Sequence, residues 1–209
     1  MDDYVLLPDI VEGFASVTAS VWFKTVVNSS STKNLIAQDG SGRDPIVVRF
    51  AAGTGGNDYK VRCNFDNGTA IGLAESTSAY NDGAWHLVTC VYDGANVYVY
   101  VDGVQTVGDP LTGTLASTAN VFTLGSVTSP FIGEMDDARI YNRALSAAEV
   151  KKLYALGTSK QNASQNSQVA SGLLGLWSLD GPDVTTVVSD RSGSGNNGTF
   201  VGGATSSAK

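Results

Sequence analysis

The chain has 209 residues, 42% of them apolar, enough for one sandwich-sized domain that buries roughly 70% of the surface its unfolded chain would expose. A net charge of −7, from 20 acidic against 13 basic residues with no basic cluster, argues against binding to a phosphate backbone, so nucleic acid is not an expected partner. No apolar run reaches the length a bilayer demands, so no membrane span is expected, and the richness in Gly, Ser, Thr and Asn over Lys suits a secreted or surface-displayed protein.

Many short Val, Thr and Tyr runs broken by Asp-Gly or Asn-Gly predict an all-β sandwich. The first such run with a tryptophan is Ser20-Val-Trp-Phe-Lys24. Gly53-Thr-Gly-Gly56 precedes a strand and not a helix, so it reads as a hairpin tip with no phosphate-binding context. Just after it Asn57, Asp58 and Tyr59 stand together, and Tyr80 follows in Ala79-Tyr-Asn-Asp-Gly83. As exposed loop residues, these would stack on a sugar ring and hydrogen-bond its hydroxyls.

Cys63 and Cys90 fall in two runs read as strands that the fold could place side by side. A cross-strand disulfide and two buried thiols both stay open, because cysteine also packs as a small hydrophobe. With His86 the only histidine, the pair cannot make a four-ligand zinc site. His86 itself reads as a partly buried sheet residue, not as the base of a catalytic triad. Asp93-Gly94 and Asp102-Gly103 predict turns in which glycine accepts a positive φ. Between them Val97-Tyr-Val-Tyr-Val101 carries apolar residues on both faces, the mark of a strand covered on both sides.

From Phe131 a strand runs into the one segment that looks helical. Ser146 fits the N-cap and Glu149 closes a capping box three residues on, while Leu145 and Val150 occupy the two places of a hydrophobic staple. Gly157 is the expected stop. Thr158 to Ala170 is rich in Ser, Asn and Gln without apolar period and reads as a linker. Beyond it lie another strand-like run, Gly172-Leu-Leu-Gly-Leu-Trp-Ser-Leu-Asp-Gly181, and a glycine-rich stretch from Ser189 to Gly203.

Phe131 to Tyr154, Trp85-His86-Leu87-Val88 and Tyr98-Val-Tyr-Val-Asp-Gly103, in that family's order, resemble the laminin-G-like, concanavalin A-like lectin/glucanase superfamily. The resemblance implies a two-sheet antiparallel jelly-roll sandwich with one short capped helix near 146–156. The 171–209 block looks like the family's opening strands placed last, and Asp2-Asp-Tyr-Val-Leu-Leu-Pro8 like a segment the family places after them, an apparent circular permutation. Residues 1–157 are thus read as the main part of the jelly roll, 158–170 as a linker and 171–209 as strands completing the same sandwich, cut from a tandem array. The thirteen linker residues could span about 43 Å at about 3.3 Å each, so return to the same molecule is geometrically easy. A monomer is expected, with a domain-swapped dimer as the alternative.

The resemblance also raises hydrolase chemistry. Glu134-Met-Asp136 begins a glucanase-like Glu-x-Asp-x-x-Glu pattern, but Arg139 stands where the acid/base Glu belongs, so no catalytic residue is assigned. In this superfamily a calcium ion is often bound by an Asp of the last strand with oxygens from the first-strand turn; the matching positions are Asp136 and Asp180-Gly181. Strand alternation would then turn Asp137 to the opposite face, toward Arg139. Trp22, Trp85 and Trp177 fall at family positions that are usually core aromatics. The implied function is an extracellular, calcium-stabilised module that binds a glycan or glycosylated surface; the alternatives are a structural spacer without ligand and, third, a glycoside hydrolase.

Overall fold

Fourteen strands form among the residues the computed structural model describes, namely 3–10, 13–28, 31–39, 44–51, 59–106, 108–117, 121–158, 169–179 and 186–204. They pair into two antiparallel sheets. The larger runs from edge to edge as β13 (Val187–Val188), β14 (Gly198–Val201), β1 (Tyr4–Leu7), β10 (Val121–Leu124), β3 (Lys33–Asp39), β4 (Ile46–Ala51), β5 (Lys60–Asp66) and β6 (Ile71–Glu75). The smaller runs as β12 (Leu173–Trp177), β11 (Glu134–Tyr141), β2 (Val17–Lys24), β7 (Trp85–Tyr92), β8 (Val97–Val101) and β9 (Val104–Thr106). Among the described residues no helix is long and apolar enough to cross a membrane.

The core lies where the sheets face each other. Val61, Cys63 and Phe65 of β5 alternate inward and meet Val88, Cys90 and Tyr92 of β7 and the valines of β8. The smaller sheet is covered a second time on its outer face by α1 (Ala147–Thr158), whose Val150 and Leu153 pack on Leu87, Tyr100 and Tyr141. This double cover explains why seven of the eight residues of β2 are buried and why β8 is apolar on both faces. Between β8 and β9 the turn is Asp102-Gly103, both at positive φ (53° and 76°), as a two-residue hairpin loop demands.

Cys63 and Cys90 form a disulfide with Cα atoms 5.6 Å apart. Their strands are not neighbours in one sheet, as a cross-strand pairing would have them. β5 and β7 belong to different sheets, so the bridge runs through the core and ties the two layers face to face.

The capping box closes as its spacing predicts. The Ser146 amide donates to Glu149 Oε2 at 2.8 Å, and the Glu149 amide donates to Ser146 Oγ at 3.3 Å. Leu145 and Val150, the staple pair, are both buried in the outer cluster. The Arg143 guanidinium, 2.8 Å from Glu149 Oε1, is the main reason this carboxyl is held down to about 2; partial burial opposes the shift, and the Ser146 amide and hydroxyl add to it. Because the folded-state value is depressed from 4.5, this ion pair contributes in full above the ordinary Glu range and is lost as the pH falls toward 2. Ser146→Ala is expected to lower stability by about 1 kcal/mol in urea denaturation at neutral pH, and an unchanged midpoint would contradict the role of the cap.

Gly157 does not stop the helix. The helix runs on to Thr158, and a Cβ at Gly157 would stand 2.4 Å from the Trp22 indole, so this glycine lets the last turn lie against that ring. It meets a close approach and not a positive-φ cap.

In the C-terminal block, β12 pairs with β11 in the smaller sheet and β14 with β1 in the larger. Trp177 is fully buried and its Nε1–H donates to the Asn196 carbonyl at 2.9 Å. Asp190 accepts from the amides of Leu176, Ser192 and Asn196, so the loop after β13 is laced to β12. Burial alone would raise the Asp190 carboxyl, but these hydrogen bonds outweigh it and hold the group below its ordinary value. Val169, at the end of the presumed linker, is buried under the smaller sheet's outer cluster.

Candidate functional site

One end of the sandwich gathers aromatic rings and carboxylates around Trp85. This residue opens β7 on the same outer face as Leu87 and Val91, which α1 covers. Trp85 is nonetheless 36% exposed. Trp85 is therefore not a core residue, contrary to the family position; Trp22, stacked on Tyr154 at 5.6 Å, and Trp177 are. Directly across the ladder from Trp85 is Lys24, whose Nζ lies 6.0 Å from the indole centroid and 2.8 Å from Glu134 Oε1.

β11 brings its carboxylates here through an irregularity. Asp136 stands opposite Trp22 in register, but the register then shifts before Arg139, and Asp137 takes a positive φ of 47°. The bulge cancels the alternation that would have sent the two aspartates to opposite faces. Both line one pocket of about 300 Å³, together with Trp22, Trp85, Tyr154 and Gly157. Asp137 does reach Arg139, with Oδ2 3.7 Å from Nη2, and Asp136 is 5% exposed, its Oδ1 accepting from the Asp137 amide. Trp85 and Asp136 also line a cleft of about 740 Å³, together with Tyr4, Phe131, Ile132 and Phe200.

The loops at this end brace one another. The Gly83 amide donates to the Thr25 carbonyl, and Thr25 Oγ1 donates to the Ile132 carbonyl at 2.7 Å. Behind them His86 is held between Asp102 Oδ2 at 2.8 Å and Asp82 Oδ1 at 3.1 Å, with Tyr80 edge-on at 4.9 Å. The Asp82 carboxyl lies below its ordinary value, chiefly through the Ala84 amide and then through His86. His86 is thus a braced, half-buried residue next to Trp85 at the start of β7.

The stacking residues expected from the loops are placed differently. Tyr59 is 9% exposed; its ring stacks on Phe50 at 6.2 Å and its hydroxyl donates to Asn28 Oδ1, so it offers no free face to a sugar. Tyr80 is half-buried against His86, and burial, then Asp102, pushes its hydroxyl up. Asn57 and Asp58 lie outside the described residues, as do Asp180 and Gly181 and the Gly53–Gly56 tip. Among the described residues no three His, Cys, Asp or Glu side chains gather as a metal site. Leu179, the chain neighbour of Asp180, lines the same cleft as Asp136. Where the glucanase-like pattern would call for an acid/base Glu, Arg139 is 6% exposed and turned to Asp137.

Trp85 is the site residue that motif reading missed. Its polar lead-in, Asn81-Asp-Gly-Ala84, marks the strand's first residue and so the rim of the sheet, the only signal in the sequence that bears on its exposure.

A family model described as the concanavalin A-like lectin/glucanases superfamily matches residues 1–151. No curated protein sequence matches the chain. Among solved structures, a proposed carbohydrate binding protein from Bacteroides ovatus is 19% identical with a TM-score of 0.73; the match covers 97% of this chain but only 56% of that one. Domain 4 of an extracellular arabinanase of glycoside hydrolase family 43 from Geobacillus stearothermophilus, solved with arabinotriose, is 21% identical with a TM-score of 0.52, covering 71% of this chain and 69% of that one. A pentraxin of the SAP-like type from Limulus polyphemus is 12% identical with a TM-score of 0.56, covering 73% and 75%. At these identities the likeness is one of fold.

Proposed function

The chain belongs to the concanavalin A-like lectin/glucanase superfamily, and from that membership we propose that it is an extracellular glycan-binding module whose stacking platform is Trp85. The observation that carries this reading is that Trp85, partly exposed, lines both the cleft and the pocket alongside carboxylates. A pyranose or furanose ring lays its C–H face on an aromatic ring while carboxylates accept its hydroxyl hydrogens. The braced loops keep the ring in place, which limits the entropy lost on binding. Two relatives point the same way, one described as a proposed carbohydrate binding protein and one solved with arabinotriose. The disulfide through the core suits an oxidising, extracellular compartment.

Trp85→Ala tests the reading. On a broad glycan array, reproducible wild-type signals are expected to fall at least tenfold in the variant, with its melting temperature within a few degrees of wild type. Wild-type signals that survive the substitution would move the site elsewhere, and complete absence of signals would favour the ligand-free spacer.

We also propose a structural calcium ion at Asp136 with Asp180 and Gly181, supported by Asp136 and Leu179 lining one cleft. The ion would supply charge that pins the turn after β12 onto β11. A ligand that binds only the folded state at a hundredfold excess over its Kd adds about 2.7 kcal/mol, so chelator should lower the melting temperature of the wild type and leave that of Asp136→Ala unchanged. A wild type indifferent to chelator would remove the ion.

A further inference from the structure

The outer face of the larger sheet brings together charges that the sequence keeps apart. In β4 and β5 the residues Val48, Phe50, Val61, Cys63 and Phe65 enter the core, so by alternation Arg49, Arg62 and Asn64 point outward, on the side of the sandwich away from the sheet that carries Trp85. Arg49 stands directly across the ladder from Arg62, and Asn64 lies two residues along on the same face. Like charges so placed repel. Arg62 has an answer: Glu75 Oε2 accepts from its Nε, while Glu75 Oε1 accepts from Lys60 Nζ at 3.2 Å, so both oxygens of that carboxylate are taken. The Arg49 side chain makes no hydrogen bond or ion pair with any described residue, and its Nε is buried without a partner. Asn64 Oδ1 is buried without a partner too. Burial first, and then the Arg62 charge, push the Arg49 guanidinium below its ordinary value, and Asp44 offsets them only in part. Stripping water from a guanidinium beside a like charge costs stability, and an anion on its fork removes that cost.

We propose that Arg49, with Arg62 beside it, is a receptor for a carboxylate that carries a hydroxyl group close by, as a free hydroxy acid or a uronic acid unit of a glycan does. A carboxylate matches the guanidinium fork and accepts two parallel N–H bonds from it, within the field of the second arginine. The hydroxyl supplies the hydrogen that Asn64 Oδ1 lacks. The neighbouring Arg62 and Glu75 side chains are 22% and 25% exposed, so the patch is open to solvent, and a change of rotamer turns the long Arg49 side chain to the anion. This site is separate from Trp85 and does not depend on the reading given to that residue.

Isothermal titration of the full chain, the Arg49→Gln variant and the Trp85→Ala variant tests the proposal. The probes are lactate with lactamide, methyl glucuronoside with methyl glucoside, and acetate as a carboxylate without hydroxyl. Lactate or the glucuronoside is expected to saturate the wild type, with its uncharged partner and acetate each binding at least several-fold more weakly. Arg49→Gln should lose at least tenfold in affinity, and Trp85→Ala should lose none. A tighter glucuronoside points to a glycan as the source of the carboxylate and a tighter lactate to a free acid; either result supports the receptor. Binding should weaken as added salt shortens the Debye length from about 30 Å at 0.01 M to about 8 Å at 0.15 M. Without ligand, Arg49→Gln is expected to melt no lower than the wild type, since it removes a guanidinium that repels Arg62, and the glucuronoside should raise the melting temperature of the wild type alone. The proposal is overturned if no carboxylate saturates the chain, if the uncharged partners bind as tightly, or if Arg49→Gln leaves the affinity unchanged. A variant that melts several degrees lower without ligand also overturns it, because Arg49 would then be a structural group.

Discussion

Truncation after Thr158 is expected to leave a chain that does not form the native sandwich, seen as loss of the cooperative thermal transition and self-association on size-exclusion chromatography. The cut removes an edge strand, β12, from the smaller sheet and two strands, β13 and β14, from the larger. It also empties the site of Trp177, whose ring is fully buried in the main core. Replacing a buried Trp by Ala alone costs about 3–5 kcal/mol, against a total stability of about 5–15 kcal/mol for an ordinary domain. The ladder edges of β11 and β1 would be left bare, and bare edges invite pairing with other chains. Trp177→Ala in the full chain is the milder companion, expected to lower the denaturation midpoint without abolishing the transition. A truncated chain that stays monomeric and melts with the full one would show that residues 171–204 add nothing to the fold of the rest.

The second large effect is expected from the disulfide. Reducing Cys63–Cys90 frees a loop closed across 27 residues, and the chain-entropy argument puts the loss at about 3.5 kcal/mol. Both cysteines are fully buried between the sheets, so reductant should act slowly on the folded protein and readily once it opens. Urea denaturation with and without reductant measures the difference, and a Cys63→Ala, Cys90→Ala double variant reports it without a reductant. Equal midpoints for the oxidised and reduced chains would mean that the bridge only decorates a core that is already sufficient.

The candidate site was legible in its parts and not in its assembly. Asp136 and Asp137 could be singled out from sequence, but strand alternation assigned them to opposite faces, because the rule assumes an unbroken ladder and the bulge at Asp137 breaks it. Tyr59 was read as an exposed loop aromatic, since it follows glycine, asparagine and aspartate. Its ring lies over Phe50, a residue of the neighbouring strand, and so is covered by a contact that no local pattern encodes. Trp85 was read as core because it falls at a family position that is usually a core aromatic; it stands at the start of its strand, where the outer cluster that buries Leu87 and Val91 leaves it partly exposed.

What the sequence determined by itself was whatever depends on residues within a few positions of one another. The capping box of Ser146 and Glu149, the staple of Leu145 and Val150, the paired positive φ of Asp102 and Gly103 and the inward alternation of Val61, Cys63 and Phe65 are local hydrogen bonds, local sterics and local periodicity. The two-layer class followed from many such strands, because half-apolar strands have no other way to bury their faces. What only the tertiary structure decided was which strands face each other and where a distant element ends. That is why Cys63 meets Cys90 across the layers, why Gly157 leaves no room for a Cβ beside Trp22, and why Trp85 is partly exposed while Trp177, equally apolar, is sealed in the core. Exposure is a property of the space around a side chain, and that space is filled or left empty by residues far away in the chain.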